Sequence, residues 1–401
     1  MTRKLDLRTG RPVWFAYNAP KIPTEHLSRD IKTDVLIVGM GISGAMVAEA
    51  LSARGHSVVC IDRRGPMKGS TPATTALVQF EIDQPLSTLT AKIGRAKAEQ
   101  AWRRSRLAVF NLRDRIEELG ISCNLEHRQS LYIAGDELGP DALREEADAR
   151  SRAGIHAAYL TRQQLEERYG IKRKGAIVSS DNLSLDPRKL TAGLLLKAAA
   201  RKVRFYAPVE ALEFAPGKDN VIVSTAGGQT ITAGHVVLAT GYELAEFLPS
   251  AKHQVISTWA IATKPQKSAL WPQEAFIWEA SDPYLYMRTT HDGRVICGGE
   301  DEEFTDETRR DMLIPEKSDR IAKKLGKLFP KLDTKPEFSW AGSFGTTTTG
   351  LPYIGRVPRK PRIFAVMGYG GNGITYSQIA SEIIATALSG KDDSDADLFA
   401  L

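Results

Sequence analysis

Residues 34–44, Asp-Val-Leu-Ile-Val-Gly-Met-Gly-Ile-Ser-Gly, limit what this chain can fold into more than any other stretch. Residues 35–38 are apolar and mostly β-branched, the pattern of a strand buried on both faces of a parallel sheet. Gly39, Gly41 and Gly44 follow at G-x-G-x-x-G spacing, and residues 45–51 read as a helix. Gly39 permits the tight turn, Gly41 lets a pyrophosphate approach the backbone, and Gly44 lets helix pack on strand. The amides of Ile42 and Ser43 at the helix start would then face a phosphate, with the positive end of the dipole behind them. A second apolar strand, residues 57–61, ends in Asp62. That carboxylate lies about 20 residues past the glycines, where an acid grips a ribose hydroxyl. Arg63 and Arg64 raise the alternative of a ribose phosphate, which the charge of Asp62 would repel. Together these residues imply a dinucleotide site.

A length of 401 residues exceeds one core, so two domains are expected. The apolar runs are too short for a membrane span, and the charged N-terminus lacks the apolar stretch of a secretory signal. The net charge of +6 is scattered in short clusters such as Arg103-Arg104, without the basic stripe and interleaved aromatics of a nucleic-acid binder. Cys60, Cys123 and Cys297 lie far apart, which argues against a redox dithiol or disulfide framework and fits a reducing, cytoplasmic compartment. The seven histidines show no ligand spacing, so no metal site is expected.

The expected architecture is α/β, a Rossmann-like nucleotide domain with a discontinuous α+β substrate domain on an antiparallel or mixed sheet. Residues 1–30, with Trp14, Phe15 and Tyr17, form an arm packed on the body. Residues 31–90, 185–250 and 338–395 are assigned to the nucleotide domain, and 91–184 with 251–337 to the substrate domain. Residues 87–119 read as one long helix stopped by Gly120. A buried strand at 235–239 ends in Ala239, Thr240 and Gly241, a small turn that would again bring backbone near the nucleotide. Residues 363–368 form another strand, followed by the Gly370-Gly371-Asn372-Gly373 turn and a helix over 376–388.

These three glycine-rich segments in order, with the G-L-P-x-I-G stretch at 350–355, resemble the D-amino-acid-oxidase and glycine-oxidase superfamily. Within it the Trp14 arm is similar to that of bacterial amine oxidoreductases of the gamma-glutamylputrescine type. The resemblance implies FAD stretched through the first domain. It would place Gly39, Gly41 and Gly44 at the pyrophosphate, Asp62 at the adenosine ribose, and Arg63 and the Val209 backbone near the adenine. Ser70, Thr74 and Thr75 would reach ribityl and phosphate oxygens, or else cap their own loop. Gly371, Asn372, Gly373 and Ile374 would lie against the isoalloxazine ring, with amides at its pyrimidine end.

Residues 284–299 read as a hairpin with Asp292-Gly293 as a two-residue turn. Alternation puts Tyr284, Tyr286 and Arg288 on one face, and the turn pairs Arg288 with Cys297 and Tyr286 with Gly299. The bare Gly298-Gly299 backbone would leave room for a flat ring. Two phenols and a guanidinium suit a small polar substrate with a carboxylate, the alternative being a structural strand face. Trp259, Trp278 and Glu279 are further lining candidates, with Glu279 suited to an ammonium. Glycine and D-amino-acid oxidases carry an Arg before the G-x-P-x-I-G segment, and Phe344 stands here instead. The expected activity is oxidation of a C–N bond of a small-molecule amine or amino acid, with electrons passed to dioxygen or a quinone-type acceptor. A homo-oligomer or an electron-accepting partner is compatible with the sequence. A 2-hydroxy-acid dehydrogenase with the same cofactor, or a non-catalytic flavin-binding subunit, remains open.

Overall fold

A computed structural model describes residues 4–249 and 253–401. The hydrophobic pattern resolves into two sheets. In the first, five parallel strands run in the order Lys360–Met367, Thr230–Leu238, Ile31–Val38, Val58–Ile61 and Arg204–Tyr206. Alternation along Ile31–Val38 divides two cores, as period-two geometry requires. Val35 and Ile37 face the helical core with Ala45, Leu51 and Ile379. Leu36 faces Val221, Val223 and Val236, under the strands Ala211–Pro216 and Val221–Thr225. Helix Ile42–Ala53 packs between helices Pro187–Ala200 and Gly373–Leu388. The buried strand expected at 235–239 is the end of a longer strand, Thr230–Leu238, whose first half pairs antiparallel with Val221–Thr225.

Among the described residues the second sheet has ten strands, with Phe338–Thr347, His253–Ala262, Val295–Glu302 and Leu285–Thr289 adjacent in that order. Helix Ile314–Leu328 covers one face, where Ile321 and Leu325 meet Ile261, Met287 and Cys297. Two segments assigned above to the nucleotide domain pair here instead, namely Phe338–Thr347 and the short Leu77–Val78. The arm joins the same sheet, since Arg8–Gly10 pairs with Phe338–Thr347 at its edge. The expected helix over 87–119 is two helices, Leu86–Ile93 and Arg95–Glu118, broken at Gly94, whose φ of +85° no helix accommodates.

The hairpin register also differs from expectation. Arg288 pairs with Ile296 and Tyr286 with Gly298. Thr290 N–H donates to Arg294 O at 3.0 Å and Gly293 N–H to Thr290 O at 2.8 Å, so the loop holds three residues, with Gly293 at φ +91°. A three-residue loop closed by a left-handed glycine moves every pair by one position relative to a two-residue turn.

Candidate active site

The parallel strands end together, and their C-terminal ends open into a cleft that reaches the uncovered face of the ten-stranded sheet. Its volume is about 1820 Å³, the open mouth included. At one end Gly39 turns the chain with φ +116°, and helix Ile42–Ala53 opens at Gly41 with no side-chain cap. A Cβ on Gly44 would stand 1.9 Å from Gly39 O, and one on Gly39 would stand 2.2 Å from Ala239 O. Only bare backbone fits at this turn. Thr71, which sequence reasoning missed, accepts the Ile42 N–H through Oγ1 at 3.1 Å. Ser43 lines the cleft, but its hydroxyl bonds Ser377 at 2.7 Å and ties together the two glycine-led helices.

Asp62 stands at the end of Val58–Ile61 and lines the cleft. It accepts the N–H groups of Met40 (2.8 Å), Arg64 (2.7 Å) and Gly65 (2.9 Å). Arg63 and Arg64 also line the cleft, and both guanidiniums are paired with the buried carboxylate of Glu243. That single carboxylate engages both guanidiniums and offsets one of their two charges. Glu243 also accepts Leu5 N–H at 2.8 Å, fastening the arm to this end. Val209 lines the cleft and donates its N–H to Asp62 O at 2.9 Å.

Ser70, Thr74 and Thr75 lie along the middle of the cleft with Ala239, Thr240 and Gly241. Thr74 Oγ1 accepts Ala76 N–H at 3.1 Å, so its hydroxyl does cap its own loop. Two indoles pin this loop from below, Trp14 donating to Thr74 O at 2.6 Å and Trp340 to Ala73 O at 2.8 Å. The arm thus shapes the cleft.

At the far end the Gly370–Asn372 turn leads into helix Gly373–Leu388, again with no side-chain cap, and Gly373 and Ile374 face the cleft. An uncapped helix start presents unpaired amides and positive potential to whatever lies before it. The Gly371 amide is not free, because it donates to Asp83 Oδ2 at 2.7 Å. Asp83, also missed in the sequence, lines the cleft there. Asn372 lines the cleft as well, while its amide donates to Gln79 O and Glu81 O and holds the turn on residues 79–81.

The opposite wall carries Thr258, Trp278, Tyr284, Tyr286 and Phe344. Tyr284 and Tyr286 lie 5.7 Å apart, and burial raises both phenols. Gly298 makes room for Tyr286 itself rather than for a cofactor ring, since a Cβ there would sit 2.5 Å from the phenol. Gly299 is closed by the Tyr284 carbonyl, 2.2 Å from the equivalent Cβ position.

Arg288 does not reach the cleft. It is 3% exposed and donates to Ala76 O (2.6 Å), Leu185 O (3.1 Å) and Thr289 O (3.0 Å). The rings of Trp14 and Phe276 flank it at 5.4 and 5.9 Å. The face assigned by alternation is right, yet two distant loop carbonyls cover it. Glu279 likewise accepts Leu285 N–H and faces Arg173, and Trp259 is buried with its indole on Arg310 O.

This constellation is that of a dinucleotide-binding fold, with a bare glycine turn and an aromatic pocket at opposite ends of one cleft. Residues 34–387 match the DAO family, FAD dependent oxidoreductases, and the chain belongs to that family. It is 25% identical to gamma-glutamylputrescine oxidoreductase of Escherichia coli (strain K12) over 406 residues, covering 96% of this chain and 91% of that protein. The crystal structure of glycine oxidase from Geobacillus kaustophilus superposes with a TM-score of 0.76 at 21% identity, over 90% of this chain and 96% of that one. L-amino acid deaminase from Proteus vulgaris does so with a TM-score of 0.75 at 18% identity, over 96% and 99%. The residues fit the cofactor of the family. Bare glycines where a Cβ would collide, two glycine-led helix starts and an acid at the second strand end suit FAD. Among the described residues no three His, Cys, Asp or Glu are placed to hold a metal, and no helix is long and apolar enough to cross a membrane.

Proposed function

We propose that this protein oxidises the C–N bond of an amine or amino acid, giving an imine that water hydrolyses. The observation carrying the reading is the aromatic chamber of Trp278, Tyr284, Tyr286 and Phe344 facing the Gly373 helix start across the cleft. FAD, held along the cleft by the glycine turns and Asp62, would supply two-electron acceptor chemistry, with dioxygen or a quinone-type acceptor, free or carried by a partner, as the final destination of the electrons. The chain itself contributes position and potential. The amides of Gly373 and Ile374 direct positive potential toward the reacting end, and the tyrosine wall would orient a bound substrate there. Water exclusion falls to Phe344, Tyr242 and Tyr369, the last two in edge contact at 6.0 Å. The gamma-glutamylputrescine oxidoreductase and glycine oxidase relatives support the amine and amino-acid class. Three buried, unpaired cysteines support a reducing, cytoplasmic setting. The test is anaerobic mixing of the FAD-loaded protein with panels of amines, amino acids and 2-hydroxy acids. Bleaching of the flavin band by amines or amino acids supports the reading, and bleaching by hydroxy acids alone refutes it.

A further inference from the structure

Behind the tyrosine wall, strands His253–Ala262 and Val295–Glu302 lose register. Ser257 pairs with Glu302 and Trp259 with Gly299, so Glu300 and Asp301 together oppose Thr258. Glu300 takes φ +59°, the mark of a bulge, and bulges beside active sites re-aim side chains. Glu300 turns outward to Lys317, Arg320 and Lys324. Asp301 turns inward, facing the hydroxyls of Thr258 and Tyr284, both of which line the cleft. Asp301 Oδ1 and Thr258 Oγ1 are buried, and neither has a well-formed hydrogen bond among the described residues. A buried carboxylate oxygen left this way is costly unless something else donates to it.

The charge of the chamber points the same way. Among the described residues, the cations lining the cleft are Arg63 and Arg64, at the opposite end on Glu243. Asp83 and Phe344 line the reacting end, and Arg288 is held on backbone carbonyls. No guanidinium or ammonium of the described residues lines this end to meet a substrate carboxylate.

We propose that Asp301, acting through Tyr284, receives the proton of a cationic amine at the reacting end, so that the chamber selects ammonium-bearing substrates lacking a carboxylate beside the amine. The assignment rests on the amine-oxidising reading above. The ammonium N–H donates to Tyr284 Oη while the phenol O–H donates to Asp301. One proton leaves nitrogen, the phenol exchanges its own, and the carboxylate becomes a carboxyl. No electrons move, and the amine keeps the lone pair that oxidation requires. The groups facing Asp301 are Tyr286 from strand Leu285–Thr289 and Tyr284 just before it, Thr258 from strand His253–Ala262, Asp83 across the cleft and Lys317 from helix Ile314–Leu328. Burial raises the Asp301 carboxyl to about 6, with Asp83 adding to the rise and Lys317 and the two hydroxyls opposing it. It is therefore charged at neutral pH and ready to accept.

The probe is tert-butylamine, which has no α-hydrogen and so binds without turnover, with pivalate as the carboxylate of similar shape. Binding to FAD-loaded protein is followed by perturbation of the flavin spectrum between pH 5 and 8.5. Wild type binds tert-butylamine in preference to pivalate and loses affinity as pH falls through about 6. Asp301→Asn at pH 7.5 weakens tert-butylamine roughly 30-fold, the usual scale for stripping a buried charge of its partner, and the loss at low pH disappears. Asp301→Glu recovers part of the affinity, and Tyr284→Phe reproduces the Asn loss, both with FAD affinity and melting temperature unchanged. Equal affinity and an unaltered pH dependence in Asp301→Asn, or a wild-type preference for pivalate, overturns the assignment. Flavin bleaching by amines, scored separately, tests the broader reading. Bleaching that ignores Asp301 removes this assignment alone, whereas Asp301-dependent binding without bleaching by any amine upholds it and removes amine oxidation.

Discussion

Replacing Arg288 by Met distinguishes a structural guanidinium from a substrate clamp. The side chain donates to carbonyls of three segments, Ala76 in the cleft loop, Leu185 before helix Pro187–Ala200, and its neighbour Thr289. Met fills similar apolar space between Trp14 and Phe276 but leaves those carbonyls without their donor. Each buried acceptor so stranded costs about 1–3 kcal/mol, and partial relaxation brings the sum to about 3–6 kcal/mol. At roughly 2.1 cal/mol/K per residue, a chain of 401 residues has an unfolding entropy of about 0.8 kcal/mol/K. The expected fall in melting temperature is therefore about 4–7 °C. The assay is thermal unfolding of FAD-loaded protein, together with KM for whichever amine bleaches the flavin. Stability should fall while KM changes by less than about threefold, under 0.7 kcal/mol. An unchanged melting temperature with a large rise in KM would refute this placement and return Arg288 to the substrate.

Gly44→Ala forces a Cβ to within 1.9 Å of Gly39 O, so the helix must retreat from the nucleotide turn. FAD affinity, measured by fluorescence quenching on titration, is expected to fall at least about 100-fold, near 2.7 kcal/mol. Glu243→Gln removes the counter-charge of Arg63 and Arg64 and releases Leu5 N–H, so the same titration should show FAD binding weakened about tenfold. Wild-type affinity in that variant would take Glu243 out of the cofactor end. Burial raises the thiols of Cys60, Cys123 and Cys297, that of Cys123 to about 12. A raised thiol pKa leaves less thiolate at a given pH, so alkylation by iodoacetamide should stay slow from pH 7 to 9 and become fast only on unfolding. Rapid labelling of the native protein would contradict their burial.

What the sequence discloses divides by the range of the interaction. Gly39, Gly41 and Gly44 are legible because backbone geometry dictates them within a few residues, and Asp62 because it ends the next strand. Tyr284 and Tyr286 are legible because strand alternation is local. Glu243 is 180 residues from Arg63, and Asp83 is 288 from Gly371. No periodicity links such pairs, so neither acid could be read as part of the cleft, and the same holds for Trp340 beneath Ala73. The hairpin error is of a third kind. Asp-Gly serves equally in a two-residue turn and as the end of a three-residue loop, and the choice falls to Thr290 pairing with Arg294.

Arg288 shows how the local and distant levels interact. Alternation places it on the chamber face, where a guanidinium among tyrosines invites a substrate role. The chain then covers that position with two loops, each ending in a carbonyl that needs a donor. One of them, at Ala76, continues directly from Thr74 and Thr75 in the cleft. Trp14 holds the same loop at Thr74 O and flanks the guanidinium with its ring, so arm, loop and hairpin are fixed against one another through two side chains. The cation that would have clamped a carboxylate is instead part of the scaffold that sets the cleft floor. With that guanidinium taken, the proposed reading leaves recognition at the reacting end to the aromatic wall and to the acids beside it.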